Sequence, residues 1–193
     1  EYNRGKVLNK EDLDEIENFG RYLDVDNDGI CYRTYPGTHP EKGAFFTRGT
    51  SHDEYARYTE DGEVNAATLS RLMKKFRTAS ELVPEPVIEI NGEDSCGVIF
   101  YGSTSPAVHE AKDLLKENEI NIDLMQIRSF PFYLDVWEFI ANHDRIYVVE
   151  QNRDSQMRTL IMAEGGISPE ILRPLVHFTG DPIQASYIVN KIS

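Results

Sequence analysis

The apolar positions of this chain follow two different regimes. From residue 83 onward they come in short runs separated by amphipathic stretches, which predicts strands alternating with helices. Cys96–Tyr101 is an apolar run ending at Gly102, and Ser105 is placed to cap a helix with Pro106 at its first position. Ala107, Val108, Ala111, Leu114 and Leu115 then recur at helical spacing. The same alternation predicts a strand over 121–127, a helix over 134–141, a strand over 145–150 and a helix over 154–163. A short strand over 174–178 and a terminal helix over 182–192 complete the series. Residues 87–90 read as an extra edge strand that Asn91-Gly92 can turn back. Strands joined through helices imply right-handed crossovers, hence an α/β fold with a mostly parallel, doubly wound sheet.

Residues 1–82 behave differently. Asn9 can cap a short helix over 10–19, with Glu11 and Asp12 at the positive end of its dipole. A second helix over 63–79 places Leu69, Leu72, Met73 and Phe76 on one face. Between them, residues 29–54 follow neither period: arginines, histidines, threonines and aromatics are interleaved with Gly and Pro. An irregular stretch of about 25 residues inside a compact domain is usually functional, or shaped by a partner. The run Glu81-Leu82-Val83-Pro84-Glu85-Pro86 marks a boundary, giving a connector at 1–82 and an α/β domain at 83–193. Large apolar residues are nearly twice as dense after that boundary as before it, so the first part is expected to lean on something else.

Charge narrows the partners. The 193 residues carry 20 Lys and Arg against 33 Asp and Glu, a net charge of −13. Residues 1–82 hold 12 basic and 16 acidic side chains, and the rest of the chain supplies the larger excess. With no basic face in the pattern, nucleic acid is not an expected partner. No apolar run reaches the roughly 18 residues of a membrane span, and no signal sequence is visible, so a cytoplasmic location is expected. The chain opens without Met in Glu-Tyr-Asn-Arg-Gly, and reads as a piece of a longer polypeptide.

Several segments carry candidate chemistry. Asp24-Val25-Asp26-Asn27-Asp28-Gly29 matches the first half of a calcium loop, making Asp24, Asp26 and Asp28 candidate cation ligands. Its second half departs, since Tyr35 stands where a bidentate Glu is required, so a polar turn is the competing reading. Gly102, Ser103 and Thr104 join a strand to a helix N-terminus, a place suited to an anion, without a Walker lysine or a dinucleotide glycine pattern. Glu150-Gln151-Asn152-Arg153 ends a strand at the edge where open α/β sheets place ligands. Ser129-Phe130-Pro131-Phe132 reads as a packing element. Cys31 and Cys96 form neither a metal pattern nor a disulfide framework, and the five histidines are scattered without a catalytic spacing.

The motifs together resemble a family. Phe19-Gly20-Arg21-Tyr22-Leu23-Asp24-Val25-Asp26, Gly29-Ile30, Tyr32-Arg33-Thr34, Pro36-Gly37-Thr38-His39-Pro40, Gly43-Ala44-Phe45-Phe46-Thr47-Arg48-Gly49-Thr50 and His52-Asp53-Glu54-Tyr55 are similar to the α subunit of 2-oxoacid:ferredoxin oxidoreductases of the 2-oxoglutarate type. Tyr101-Gly102-Ser103-Thr104, Gln126-Ile127-Arg128 and Val148-Val149-Glu150-Gln151-Asn152 resemble the transketolase C-terminal-like domain of that subunit. The resemblance implies oxidative decarboxylation of a 2-oxoacid to acyl-coenzyme A, with thiamine diphosphate, Mg and 4Fe-4S clusters, and electrons passed to ferredoxin. It implies a β subunit and further α-subunit domains as partners. The thiamine-pyrimidine domain and the cluster cysteines of the family are not in this sequence, so no catalytic residue is carried over and the fragment alone is expected to be inactive. Arg33, His39, Arg48 and His52 are the candidates for anchoring an interface or approaching coenzyme A or a substrate anion, with local bonding to backbone carbonyls and carboxylates as the alternative. Another thiamine-dependent transketolase-superfamily enzyme, or a non-catalytic acidic α/β binding module, are the rival functions.

Overall fold

The computed structural model describes residues 3–49, 51–92 and 96–193. Thr50 of the loop motif, and residues 93–95 beyond the Asn91-Gly92 turn, lie outside the described residues. The chain divides into two compact units, Glu1–Leu82 and Val83–Ser193.

The first unit contains α1 (Lys10–Glu15) and α2 (Gly62–Ser80). Asn9 caps α1 as expected: its side chain accepts from the Asp12 amide at 2.9 Å, and the Asp12 carboxylate accepts from the Asn9 amide at 2.9 Å. The helix is shorter than 10–19. Ile16 turns to extended backbone, and the Lys42 ammonium donates to the Leu13 and Ile16 carbonyls at 2.7 and 2.5 Å, ending the helix from a distant part of the chain. Asp61 caps α2 by accepting from the Glu63 amide at 2.8 Å. None of the α2 residues is buried, and Leu69, Met73 and Phe76 are 54, 59 and 51 % exposed. Among the described residues of this unit, only Leu13 and Ala56 are buried hydrophobics.

The second unit is a five-stranded sheet built from β1 (Val87–Glu89), β2 (Cys96–Tyr101), β3 (Ile122–Ile127), β4 (Ile146–Glu150) and β5 (Leu172–Val176), ordered β1-β3-β2-β4-β5. β2, β3, β4 and β5 pair in parallel and β1 runs antiparallel on β3, which matches the expected mostly parallel, doubly wound α/β sheet. Side chains alternate between two cores. Val98, Phe100, Leu124 and Val149 meet α3 (Ser105–Glu117) and α6 (Ala185–Ile192), while Ile99, Met125, Ile146 and Val148 meet α4 (Leu134–Ala141) and α5 (Gln156–Gly165). Phe132 joins the second core and is edge-on to Phe130 and Trp137 at 5.2 and 5.5 Å, as the packing reading of 129–132 expects.

Boundaries shift where distant groups take over the helix ends. Ser105 is itself helical and does not cap α3; Gly102–Thr104 forms a single 3-10 turn leading into it. α5 starts at Gln156 rather than 154, because Ser155 sits in the left-handed region and the Asn152 side chain holds the Asp154 and Gln156 amides. β5 lies two residues earlier than 174–178 and includes Pro174, which its edge position allows. α6 starts at Ala185 rather than 182, after the Ile183 amide donates to Gln151 Oε1 at 3.2 Å.

Candidate functional site

With almost no buried hydrophobic residues among those described, the long loop is held by polar and charged side chains that bond backbone carbonyls. Thr34 Oγ1 donates to the Gly43 carbonyl at 2.9 Å, Arg33 to Arg4 O at 2.6 Å, Arg21 to Tyr32 O at 3.4 Å, and Arg71 to Gly29 O at 2.9 Å. Such bonds satisfy carbonyls that an irregular segment cannot pair with itself.

The candidate residues fall at different points of this frame. His39 Nδ1 accepts from the Glu41 and Lys42 amides at 3.1 and 3.0 Å, which assigns the ring proton to Nε2, 3.3 Å from Asp14. Arg33 lies over the Tyr35 ring at 5.8 Å and its backbone bridges Val7. Arg48 lies over Tyr58 at 5.7 Å, and His52 forms a backbone bridge with the same Tyr58, so those two are brought together while Arg33 and His39 are not. His52 also stacks on Tyr22 at 4.0 Å. Tyr22 meets Phe45 edge-on at 5.9 Å, and the Arg21 guanidinium covers both rings at 5.3 and 5.5 Å. Sequence reading did not single out Arg21 as a site residue, because the contact needs residues 22, 45 and 52 to meet in space.

The aspartate turn is occupied by protein cations. Lys6 Nζ contacts Asp26 Oδ2 and Asp28 Oδ2, both at 2.6 Å, and the Ile30 carbonyl at 3.1 Å. Lys74 bonds Asp24 at 3.2 Å and also Asn27. The other Asp24 oxygen accepts from the Asp28 and Gly29 amides at 2.9 and 2.8 Å. The pattern Asp24, Asp26, Asp28 therefore forms a turn clamped by lysines, and among the described residues no group of three or more His, Cys, Asp and Glu is placed to hold a metal ion. Against the cost of its burial, the bonds to Asp26 and Asp28 hold Lys6 above the usual lysine range; those to Lys6 hold both aspartates below theirs. A carboxylate depressed in the folded state stabilises above its ordinary range and loses that contribution as pH falls through the folded value. Urea midpoints should therefore drop below about pH 4, and Lys6→Met should lower the neutral midpoint while flattening that acid limb.

In the second unit, the carboxyl ends of β2 and β4 form the point where the strand order reverses. Gly102 adopts φ +58, which suits a residue without Cβ, and an added Cβ there would meet nothing within 4 Å. Gln151 Nε2 donates to Ser103 and Thr104 hydroxyls at 3.4 Å each. Glu150 is fully buried, and its carboxylate accepts from the Met157 and Arg158 amides at 2.8 and 3.0 Å and from Asn152 at 2.8 Å. The protein thus fills the α5 N-terminus with its own anion. Burial, with the nearby Glu150 charge, pushes the Tyr101 phenol above its usual range.

The other buried polar pair is structural in its bonding. His143 bonds Asp123 at 3.1 Å and Phe139 O at 2.7 Å, while Asp123 accepts from the Asn91 amide at 2.6 Å. Two cysteines in the whole sequence cannot furnish the four thiolates of an iron–sulfur cluster. Among the described residues, no group of His, Cys, Asp and Glu fits the Mg or cluster that the resemblance implies. No helix of the described residues is long and apolar enough to cross a membrane.

No protein-family model matches this chain. It is 27 % identical over 195 residues to 2-oxoacid:ferredoxin oxidoreductase 2, subunit alpha, of Aeropyrum pernix, a match covering 98 % of this chain and 28 % of that protein. It is 26 % identical over 171 residues to the 2-oxoacid:ferredoxin oxidoreductase subunit alpha of Saccharolobus solfataricus, covering 86 % of this chain and 26 % of the relative. The chain thus resembles these α subunits over most of its length, while spanning just over a quarter of theirs. Its fold is that of part of the 2-oxoglutarate:ferredoxin oxidoreductase from Magnetococcus marinus, solved with 2-oxoglutarate, coenzyme A and succinyl-CoA bound. That similarity has a TM-score of 0.79 at 22 % identity, over 93 % of this chain and 31 % of the other.

Proposed function

We propose that this chain is part of the α subunit of a 2-oxoacid:ferredoxin oxidoreductase of the 2-oxoglutarate type, and that it serves assembly rather than chemistry. In the assembled enzyme a 2-oxoacid is decarboxylated and oxidised to acyl-coenzyme A, with electrons leaving to ferredoxin. Thiamine diphosphate, Mg and the iron–sulfur clusters are held by the rest of the α subunit and by the β subunit. Residues 1–82 connect the α/β domain to those parts.

The observation that carries this reading is α2. A 19-residue helix with no buried side chain exposes Leu69, Met73 and Phe76 on the face its periodicity marks as apolar. Fully covering a side chain of this kind contributes about 1.5–3 kcal/mol, so a neighbour that covers all three gains several kcal/mol. The relatives supply the candidate neighbour, because nearly three-quarters of their length lies outside the matched part.

The test combines Leu69→Ser, Met73→Ser and Phe76→Ser. The 193-residue chain should keep its melting temperature, since these side chains contribute little to it now. Co-expressed with the remaining α-subunit domains and a β subunit, the wild type should co-purify as a complex that reduces viologen with 2-oxoglutarate, and faster than with pyruvate. The triple variant should fail to co-purify. A variant complex that assembles and turns over normally would overturn the assembly role; pyruvate preference would overturn the substrate alone.

A further inference from the structure

Half of the basic side chains of residues 1–82 surround one hollow. A cavity of about 410 Å³ in the first unit is lined by Arg4, Lys6, Arg21, Arg33, Arg71 and Lys75, six of the 12 Lys and Arg in that stretch, with no Asp or Glu in the lining. Lys6 is neutralised by Asp26 and Asp28. Arg21, Arg33 and Arg71 are in no ion pair among the described residues. Arg33, Arg21 and Arg71 bond only backbone carbonyls, which fix the direction of a guanidinium without cancelling its charge. Lys75 follows Arg71 by one turn of α2 and so adds its charge on the same side. Among the described residues, none of Arg21, Arg33, Arg71 and Lys75 is in an ion pair with a carboxylate.

Four uncancelled cations around a concavity repel one another, an arrangement that an acidic chain has ample carboxylates to relieve and does not. The Cys31 thiol lines the same cavity. Burial pushes it up, opposed by the charges of Arg71, Arg21 and Lys75, while the Asp24 charge adds to the upward push. The volume lies at the small end of ligand sites, so it suits a compact group rather than a macromolecular surface. Guanidinium forks match phosphate oxygens bidentately, and a multiply charged oxyanion gains more from converging cations than a single carboxylate does.

We propose that this cavity binds a diphosphate-type anion, held by Arg33, Arg71 and Lys75 with Arg21 at its side. The inference is independent of the subunit assignment, because it requires only the first unit of this chain. Free pyrophosphate and the diphosphate of a nucleotide offer the same chemistry.

Calorimetric titration of the 193-residue chain with pyrophosphate, and separately with ADP, tests it. Saturable binding is expected, weakening steeply with added salt. Lys75→Glu and Arg33→Gln should each weaken it at least about tenfold, or 1.4 kcal/mol. Arg57→Glu, outside the cavity, should leave it unchanged; Lys75→Gln serves if Lys75→Glu folds poorly. Bound anion should also slow alkylation of Cys31, with buried Cys96 as the internal reference. Tighter binding of ADP identifies a nucleotide as the source, and tighter binding of pyrophosphate identifies the free anion. No saturable binding of either, or binding indifferent to both cavity substitutions, overturns the proposal.

Discussion

Replacing Glu150 with Ala is expected to destabilise the α/β domain by about 3–5 kcal/mol, because it strands two buried helix-end amides and takes from Asn152 its shorter hydrogen bond, leaving that side chain only the Tyr101 hydroxyl at 3.5 Å. The carboxylate is 0 % exposed and accepts from Met157 N, Arg158 N and Asn152 Nδ2. Two of those donors are orphan amides of the first turn of α5, where the helix dipole adds to the attraction for a negative group. A charge buried this completely is tolerable only when its lone pairs are used, and here the sheet and the helix share the arrangement. In a chain of this size each kcal/mol moves the melting temperature by about 2–4 °C, so the variant should melt on the order of 10 °C lower. Glu150→Gln keeps the shape and one acceptor, and should lose roughly half as much. Thermal and urea unfolding of the three proteins measure this directly. A Glu150→Ala protein within about 1 kcal/mol of the wild type would show that the carboxylate is not a structural cap and would return it to the list of ligand-binding candidates.

Glu150 also explains which parts of the fold could be read from the chain. The central strands β2, β3 and β4 were legible because each buries both faces: Val98 and Phe100 go to one core, Ile99 to the other. Periodicity reports such burial directly. The Asn9 cap and the bounds of α4 could be read locally, but the end of α1 and the starts of α5 and α6 could not, since groups outside those helices set them. Lys42 closes α1, Glu150 and Asn152 open α5, and Gln151 holds the backbone just before α6. Local capping rules look only one turn away. The aspartate turn follows the same logic. Its calcium-like spacing is real, but Lys6 and Lys74 take its oxygens from 20 and 50 residues off. Of the loop residues, Arg33 and His52 meet the Arg4 and Asp53 carbonyls and His39 meets the Asp14 carboxylate, the kind of bonding expected as the alternative, whereas Arg21, Arg71 and Lys75 gained importance only once α2 approached the turn.

That approach hinges on Gly29, where Gly29→Ala should cost the first unit about 3 kcal/mol or more. The residue has φ +80, a region that costs an L side chain roughly 1–2 kcal/mol. Space is the larger obstacle. A Cβ there would sit 2.4 Å from Lys75 N, 2.7 Å from Lys75 Cα and 2.9 Å from the Arg71 carbonyl, all backbone of α2 that no rotamer change can move. Relief requires the turn to lift off the helix, and that breaks the bonds from Arg71 to Gly29 O and from Thr78 to Asp28 O. With Leu13 and Ala56 the only buried hydrophobics among its described residues, the unit has little apolar contact to compensate. Gly37→Ala separates the two terms: its φ is +88, yet an added Cβ meets nothing within 4 Å, so only the backbone penalty should be seen. Limited proteolysis should accordingly cut residues 20–60 much faster in Gly29→Ala than in Gly37→Ala, leave 96–193 protected in both, and abolish pyrophosphate binding in the first alone. Equal protection of the two variants would mean that the turn and α2 are held together by something other than this contact.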